Sequence, residues 1–116
     1  MKRIAAAFFN SAAGIAWSAR HEIAIRQEIV LLAAAIPLSF IIAPSAWLRV
    51  GLIGSIIFLM AVEMLNTAIE KLCDHVCAER NANIKVVKDL GSAAVFLAGM
   101  LAVMVWAVAL TEHLWH

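Results

Sequence analysis

Two stretches of this chain, Ile29–Leu48 and Leu90–Thr111, carry no charged side chain for 20 and 22 consecutive residues. At about 1.5 Å of rise per residue, each is long enough as a helix to cross the roughly 30 Å hydrocarbon layer of a bilayer. In lipid every backbone N–H and C=O needs a partner inside the protein, and a helix provides one from its own segment. The composition agrees: 65% of the residues are hydrophobic and only 15% are charged, far from the usual balance of a soluble domain. A third uncharged run, Val50–Val62, is 13 residues long and leads into the segment EMLNTAIEKLCD, Glu63 to Asp74. The expected fold is therefore an all-α membrane protein in one domain, residues 1–116, with spans at about 28–48, 50–72 and 89–112. Pro44 with Ser45 is expected to close the first span, and Pro37 to kink it or free a carbonyl within it.

Positive charge gives the orientation. Lys2, Arg3, Arg20 and Arg26 precede the first span, and Lys71, Arg80, Lys85 and Lys88 surround the second connection. Arg49 stands alone in the first connection, and no Lys or Arg follows the last span. By the positive-inside rule the N-terminus and second connection are cytoplasmic and the C-terminus faces outward, with Trp47, Trp106 and Trp115 as anchors near the outer interface. Residues 1–26 are expected to form an amphipathic helix on the cytoplasmic surface, since Ile4, Phe8, Ala12, Ile15 and Ala19 recur at intervals of three and four. The apolar run Ile4–Phe9 is too short for a signal-peptide core, so this helix is read as retained. A net charge of +1, with nine Lys and Arg spread along the chain, excludes nucleic acid as a partner.

The polar residues after Val62 are the chemical puzzle. On a helix advancing about 100° per residue, Asn66, Glu70 and Asp74 fall within roughly 60° of Glu63, forming one narrow stripe. Glu63 lies about 10 Å deeper than Glu70, where an ionised carboxylate facing lipid costs several kcal/mol. Either these residues join helices through hydrogen bonds, as Asn66 alone would suit, or they build a functional site. Packing requires no negative charge, which favours a site. The stripe ends halfway, because Val50–Val62 offers only Ser55 and two glycines, so it reads as an interfacial site more readily than an ion pathway.

Two further segments approach the same interface. In HEIAIRQE, Glu22 and Glu28 lie just before the first uncharged run, so Glu22 and Glu70 reach similar depth and are able to share a magnesium ion with water and phosphate oxygens. The alternative is an ordinary ion pair of Glu22 with Arg26, four residues on. In KDLGSAAV, Lys88 offers a cation, and a helix opening at Gly91 and Ser92 would offer backbone donors to phosphates. The same residues also suit a routine anchor followed by close helix packing. Cys73, His75 and Cys77 permit a metal reading, but the spacing is uncommon for zinc and a fourth ligand is missing, which leaves two reduced thiols. No phosphate-binding loop, protein-kinase motif set or nucleophile elbow is present.

Taken together, RQE before the first span, E-x-x-N-T-A-I-E-x-x-x-D in the second and KDLGSAAV at the third resemble the bacterial integral-membrane diacylglycerol kinase family over nearly the whole chain. The resemblance implies a homotrimer in the bacterial inner membrane that moves the γ-phosphate of MgATP onto diacylglycerol, yielding phosphatidic acid. It implies Glu63 as general base with Asn66 beside it, and Glu22 and Glu70 as magnesium ligands that also meet ATP. It further implies Lys88, Asp89 and Arg3 as nucleotide contacts, Glu28, Glu63 and Ser92 at the lipid substrate, and Asp74 at a matching motif position. The surface helix departs from the family pattern around Phe8–Ala12, which keeps the related undecaprenol kinases as an alternative. The alternative of another class is a non-enzymatic oligomeric subunit or ion pathway.

Overall fold

The computed structural model describes residues 1–76, 79 and 81–115, and it is helical almost throughout. Four helices follow in order: α1 (Lys2–His21), α2 (Ile23–Ile42), α3 (Ala46–Val76) and α4 (Ala82–Trp115). The last three are long and apolar enough to cross a membrane. Cys77 and Arg80, which entered the metal and orientation readings, lie outside the described residues.

α1 ends earlier than the expected boundary near residue 26, because the chain breaks at Glu22, whose backbone is extended. Arg26 explains why the break holds. Its Nη1 donates to the carbonyls of Arg20, at 2.8 Å, and Ala19, at 3.4 Å, satisfying acceptors that the end of α1 leaves open. Arg26 therefore serves α1 and makes no ion pair with Glu22.

α2 runs through Pro37 and stops at Ile42, closed at Pro44 as expected and short of the outer bound near residue 48, since Ala43, extended ahead of Pro44, cannot continue the helix. Ser45 then caps α3, its Oγ accepting from the N–H of Leu48 at 3.1 Å. Arg49 fastens this turn by donating to the Ala43 carbonyl at 3.3 Å and stacking 5.0 Å above Phe40. α4 also starts sooner than expected. Asn81 caps it, its Oδ1 accepting from Asn83 at 2.8 Å and Ile84 at 3.4 Å. Lys88 and Gly91 thus sit inside the helix, where backbone N–H groups are already spent. The expectation that KDLGSAAV opens the helix and presents backbone donors is corrected.

α3 is the central element, with α4 and α2 packed against it and little contact between those two. Gly91, Ala98, Ala102 and Ala109 are the buried residues of α4, so a seam of small side chains brings it close to its neighbours. Leu52 is fully buried at the far end, where Ile42, Ala43 and Ala109 surround it. Trp106 does not behave as an interfacial anchor there: it turns inward, and its Nε1 donates to the Leu52 carbonyl at 3.0 Å. An indole N–H in an apolar span needs such an acceptor. Trp47 and Trp115 are exposed, as are Phe40, Phe58 and Phe96. No more than 22% of any spanning window is buried, which leaves wide apolar faces for lipid or other subunits.

Candidate functional site

The charged ends of α2, α3 and α4 meet at the end of the bundle opposite Trp106. The break at Glu22 sets the phase of α2, so that Glu22 and Glu28, on its first turns, are both half-buried. From α3, Glu63 is half-buried and stands within electrostatic reach of Glu70 and Glu22, while Glu28 stands within reach of Glu63. Glu63 is therefore the common neighbour of Glu22, Glu28 and Glu70, and Glu70 is exposed. The Oε1 of Glu28 is buried without a hydrogen-bond partner among the described residues.

The stripe expected on α3 is present. Asn66 is only 8% exposed, and its Nδ2 donates to Oε1 of Glu70 at 3.1 Å, one helical turn away. Asp74, a further turn on, accepts from Lys88 at 2.8 Å and so links α3 to α4. Asp89 pairs with Lys85 at 2.7 Å on the exposed face of α4. Ser92 is exposed beside buried Gly91, and Ser92, Ala93 and Ala94 do not share the packing role of that glycine.

The nearby cations have partners of their own, and Lys88 also stands within electrostatic reach of Glu70. Arg26 caps α1, Lys88 holds Asp74, and Lys71 stacks 4.6 Å above Trp17, whose ring lies 4.4 Å from that of His21. The Lys71–Trp17 contact ties the end of α1 to α3 and was not legible from sequence spacing. Arg3 is not brought to the carboxylates within one chain. It lies on the exposed first turn of α1, about 21 Å from Trp17 by helical rise. Among the described residues, no three His, Cys, Asp or Glu side chains close into a metal cage.

Gly91 brings α4 against Asn66 of α3. A Cβ built there would collide with Oδ1 of Asn66. A glycine inside a long apolar helix is the signal that marks such an approach.

Residues 9–110 match the family model described as prokaryotic diacylglycerol kinase. This chain belongs to that family. The diacylglycerol kinase of Pseudomonas aeruginosa is 38% identical over 110 residues, covering 95% of this chain and 89% of that protein. The diacylglycerol kinase of Escherichia coli is 37% identical over 107 residues, covering 88% of each chain, and that of Haemophilus influenzae is 34% identical over 93. The family match runs from α1 into α4 and takes in all of α2 and α3.

Proposed function

We propose that this family member phosphorylates diacylglycerol with MgATP at the cytoplasmic interface of the bacterial inner membrane, as a homotrimer, giving phosphatidic acid and ADP. The observation that carries the reading is that Glu22, Glu28 and Glu70 all stand within electrostatic reach of Glu63 at one end of three apolar helices, with Lys88 beside Glu70 and paired with Asp74. Close carboxylates in a membrane protein repel one another unless they are protonated or share a cation, and a magnesium-bound nucleotide would bring that cation. Hard oxygen donors that do not close a cage suit magnesium, which keeps water and takes substrate phosphates as its remaining ligands. Oε1 of Glu28 is buried without a partner among the described residues, and a partner for it is still to be supplied.

In this reading Glu22 and Glu70 hold the metal, and Asn66 fixes the Glu70 carboxylate. Magnesium, when bound, neutralises charge on the phosphates. Lys88, Asp89 and Arg3 bind the nucleotide, and phosphate oxygens replace Asp74 as the partner of Lys88. Glu28 and Ser92 orient the lipid. Glu63 accepts the proton of the diacylglycerol hydroxyl as its oxygen bonds to the γ-phosphorus, while the bond from that phosphorus to the β,γ-bridging oxygen breaks and ADP leaves. The depth of Glu63 suits a hydroxyl that lies just beneath lipid headgroups. The run of Lys2, Arg3, Arg20 and Arg26 supports a cytoplasmic N-terminus.

Transfer of label from γ-labelled ATP, in mixed micelles containing either diacylglycerol or undecaprenol, tests the reading. Magnesium-dependent label on diacylglycerol is expected. Label on undecaprenol alone would replace the substrate, and no label on either lipid from folded, assembled protein would contradict the kinase reading.

A further inference from the structure

Among the described residues, Gly91 differs from every other glycine of the chain. Gly14, Gly51, Gly54 and Gly99 have nothing within 4 Å of where a Cβ would stand, whereas at Gly91 that position is taken by Oδ1 of Asn66, with Cγ at 3.2 Å. Gly91 is buried on the face of α4 that continues through Ala98, Ala102 and Ala109. Glycine weakens a helix relative to alanine, and its presence here calls for a packing reason. The Asn66 oxygen supplies one.

The same oxygen is buried and accepts no hydrogen bond among the described residues. Its carboxamide is planar, so seating Oδ1 against the bare Cα of Gly91 also aims Nδ2, which donates to Glu70. A Cα–H is only a weak donor, but it is the one group small enough to face the oxygen at this distance. The chain of dependence runs from α4 through Asn66 to one oxygen of Glu70.

We propose that Gly91 is a positioning residue for the metal end of the site: its missing side chain seats the Asn66 carboxamide, which holds Oε1 of Glu70 and leaves the other carboxylate oxygen for the metal. This rests on the reading of Glu70 as a magnesium ligand. In Gly91→Ala the new methyl group displaces Asn66, and Glu70 loses its orienting donor. Partners that orient a metal ligand are commonly worth 10- to 100-fold in metal affinity.

The test is Mn²⁺ binding to the full chain in micelles, read by electron paramagnetic resonance with a non-hydrolysable ATP analogue present and protein-free mixtures subtracted. Gly91→Ala is expected to weaken binding about 10-fold or more, while Gly99→Ala stays at the wild-type value. Asn66→Ala should weaken binding similarly, and Gly91→Ala/Asn66→Ala should be no weaker than Asn66→Ala alone. Unchanged binding in Gly91→Ala, or effects that multiply in the double variant, would overturn the proposal. If Gly91→Ala does not assemble, the double variant carries the test, because shortening Asn66 opens the space. A double variant that fails to assemble where Asn66→Ala succeeds overturns the proposal too. Wild-type protein that neither binds Mn²⁺ nor transfers label sinks the kinase reading and this proposal together, whereas an active wild type beside an unchanged Gly91→Ala sinks the positioning role alone.

Discussion

The two ends of the helix bundle are built on opposite terms. Around Leu52, the side chains of Ile42, Ala43 and Ala109 close an uncharged core, and Trp106 and Ser55 both donate to the Leu52 carbonyl. Around Glu63, Glu22, Glu28 and Glu70 stand within electrostatic reach, Oε1 of Glu28 and Oδ1 of Asn66 have no donor among the described residues, Lys88 pairs with Asp74 and Lys71 stacks on Trp17. The first end gives its polar atoms partners, and the second buries two oxygens without a donor among the described residues. In a chain with little buried core, that division lets one end fix the relation of α3 to α4 while the other gathers the charged groups.

The comparison breaks most readily at Glu63. Glu63→Gln preserves shape but removes the base, so turnover is expected to fall about 10²-fold or more with assembly unchanged; labelled-lipid assays with near-normal turnover would remove Glu63 from its role. Glu70→Gln should come next. A roughly 10-fold rise in the magnesium concentration for half-maximal activity is expected, and an unchanged titration would make Glu70 structural.

At the other end, Trp106→Phe keeps most of the apolar bulk and loses the bond to Leu52. Stability should drop by about 1 kcal/mol, read by unfolding in micelles, while turnover per folded enzyme holds. The smallest change is expected from Asp74→Asn. Freed from a competing carboxylate, Lys88 should meet phosphate more readily and lower the KM for ATP within about threefold, as suits a solvent-exposed pair. A higher KM would mean that Asp74 positions Lys88 and does not restrain it.

Much of this division can be read in the sequence, and its omissions share a physical cause. Uncharged runs locate spans because lipid excludes charge, and the 100° helical step places Glu63, Asn66, Glu70 and Asp74 on one face. Hydrophobicity does not mark where a helix begins in water. α4 starts at Asn81's cap rather than at Lys88, and α1 ends at Glu22 because Arg26 caps it. Long-range partners are equally hidden: nothing local shows that Trp106 reaches Leu52 or that Lys71 stacks on Trp17. Gly91 was visible as a residue, while its reason was visible only once α3 lay against it.

The most direct measurement takes Glu63→Gln and Trp106→Phe side by side, with lipid phosphorylation and thermal unfolding recorded on the same preparations. The account predicts a crossing: Glu63→Gln loses turnover and keeps its stability, and Trp106→Phe loses stability and keeps its turnover per folded molecule. A Glu63→Gln protein that loses activity only in proportion to lost stability would contradict the separation of a working end from a holding end.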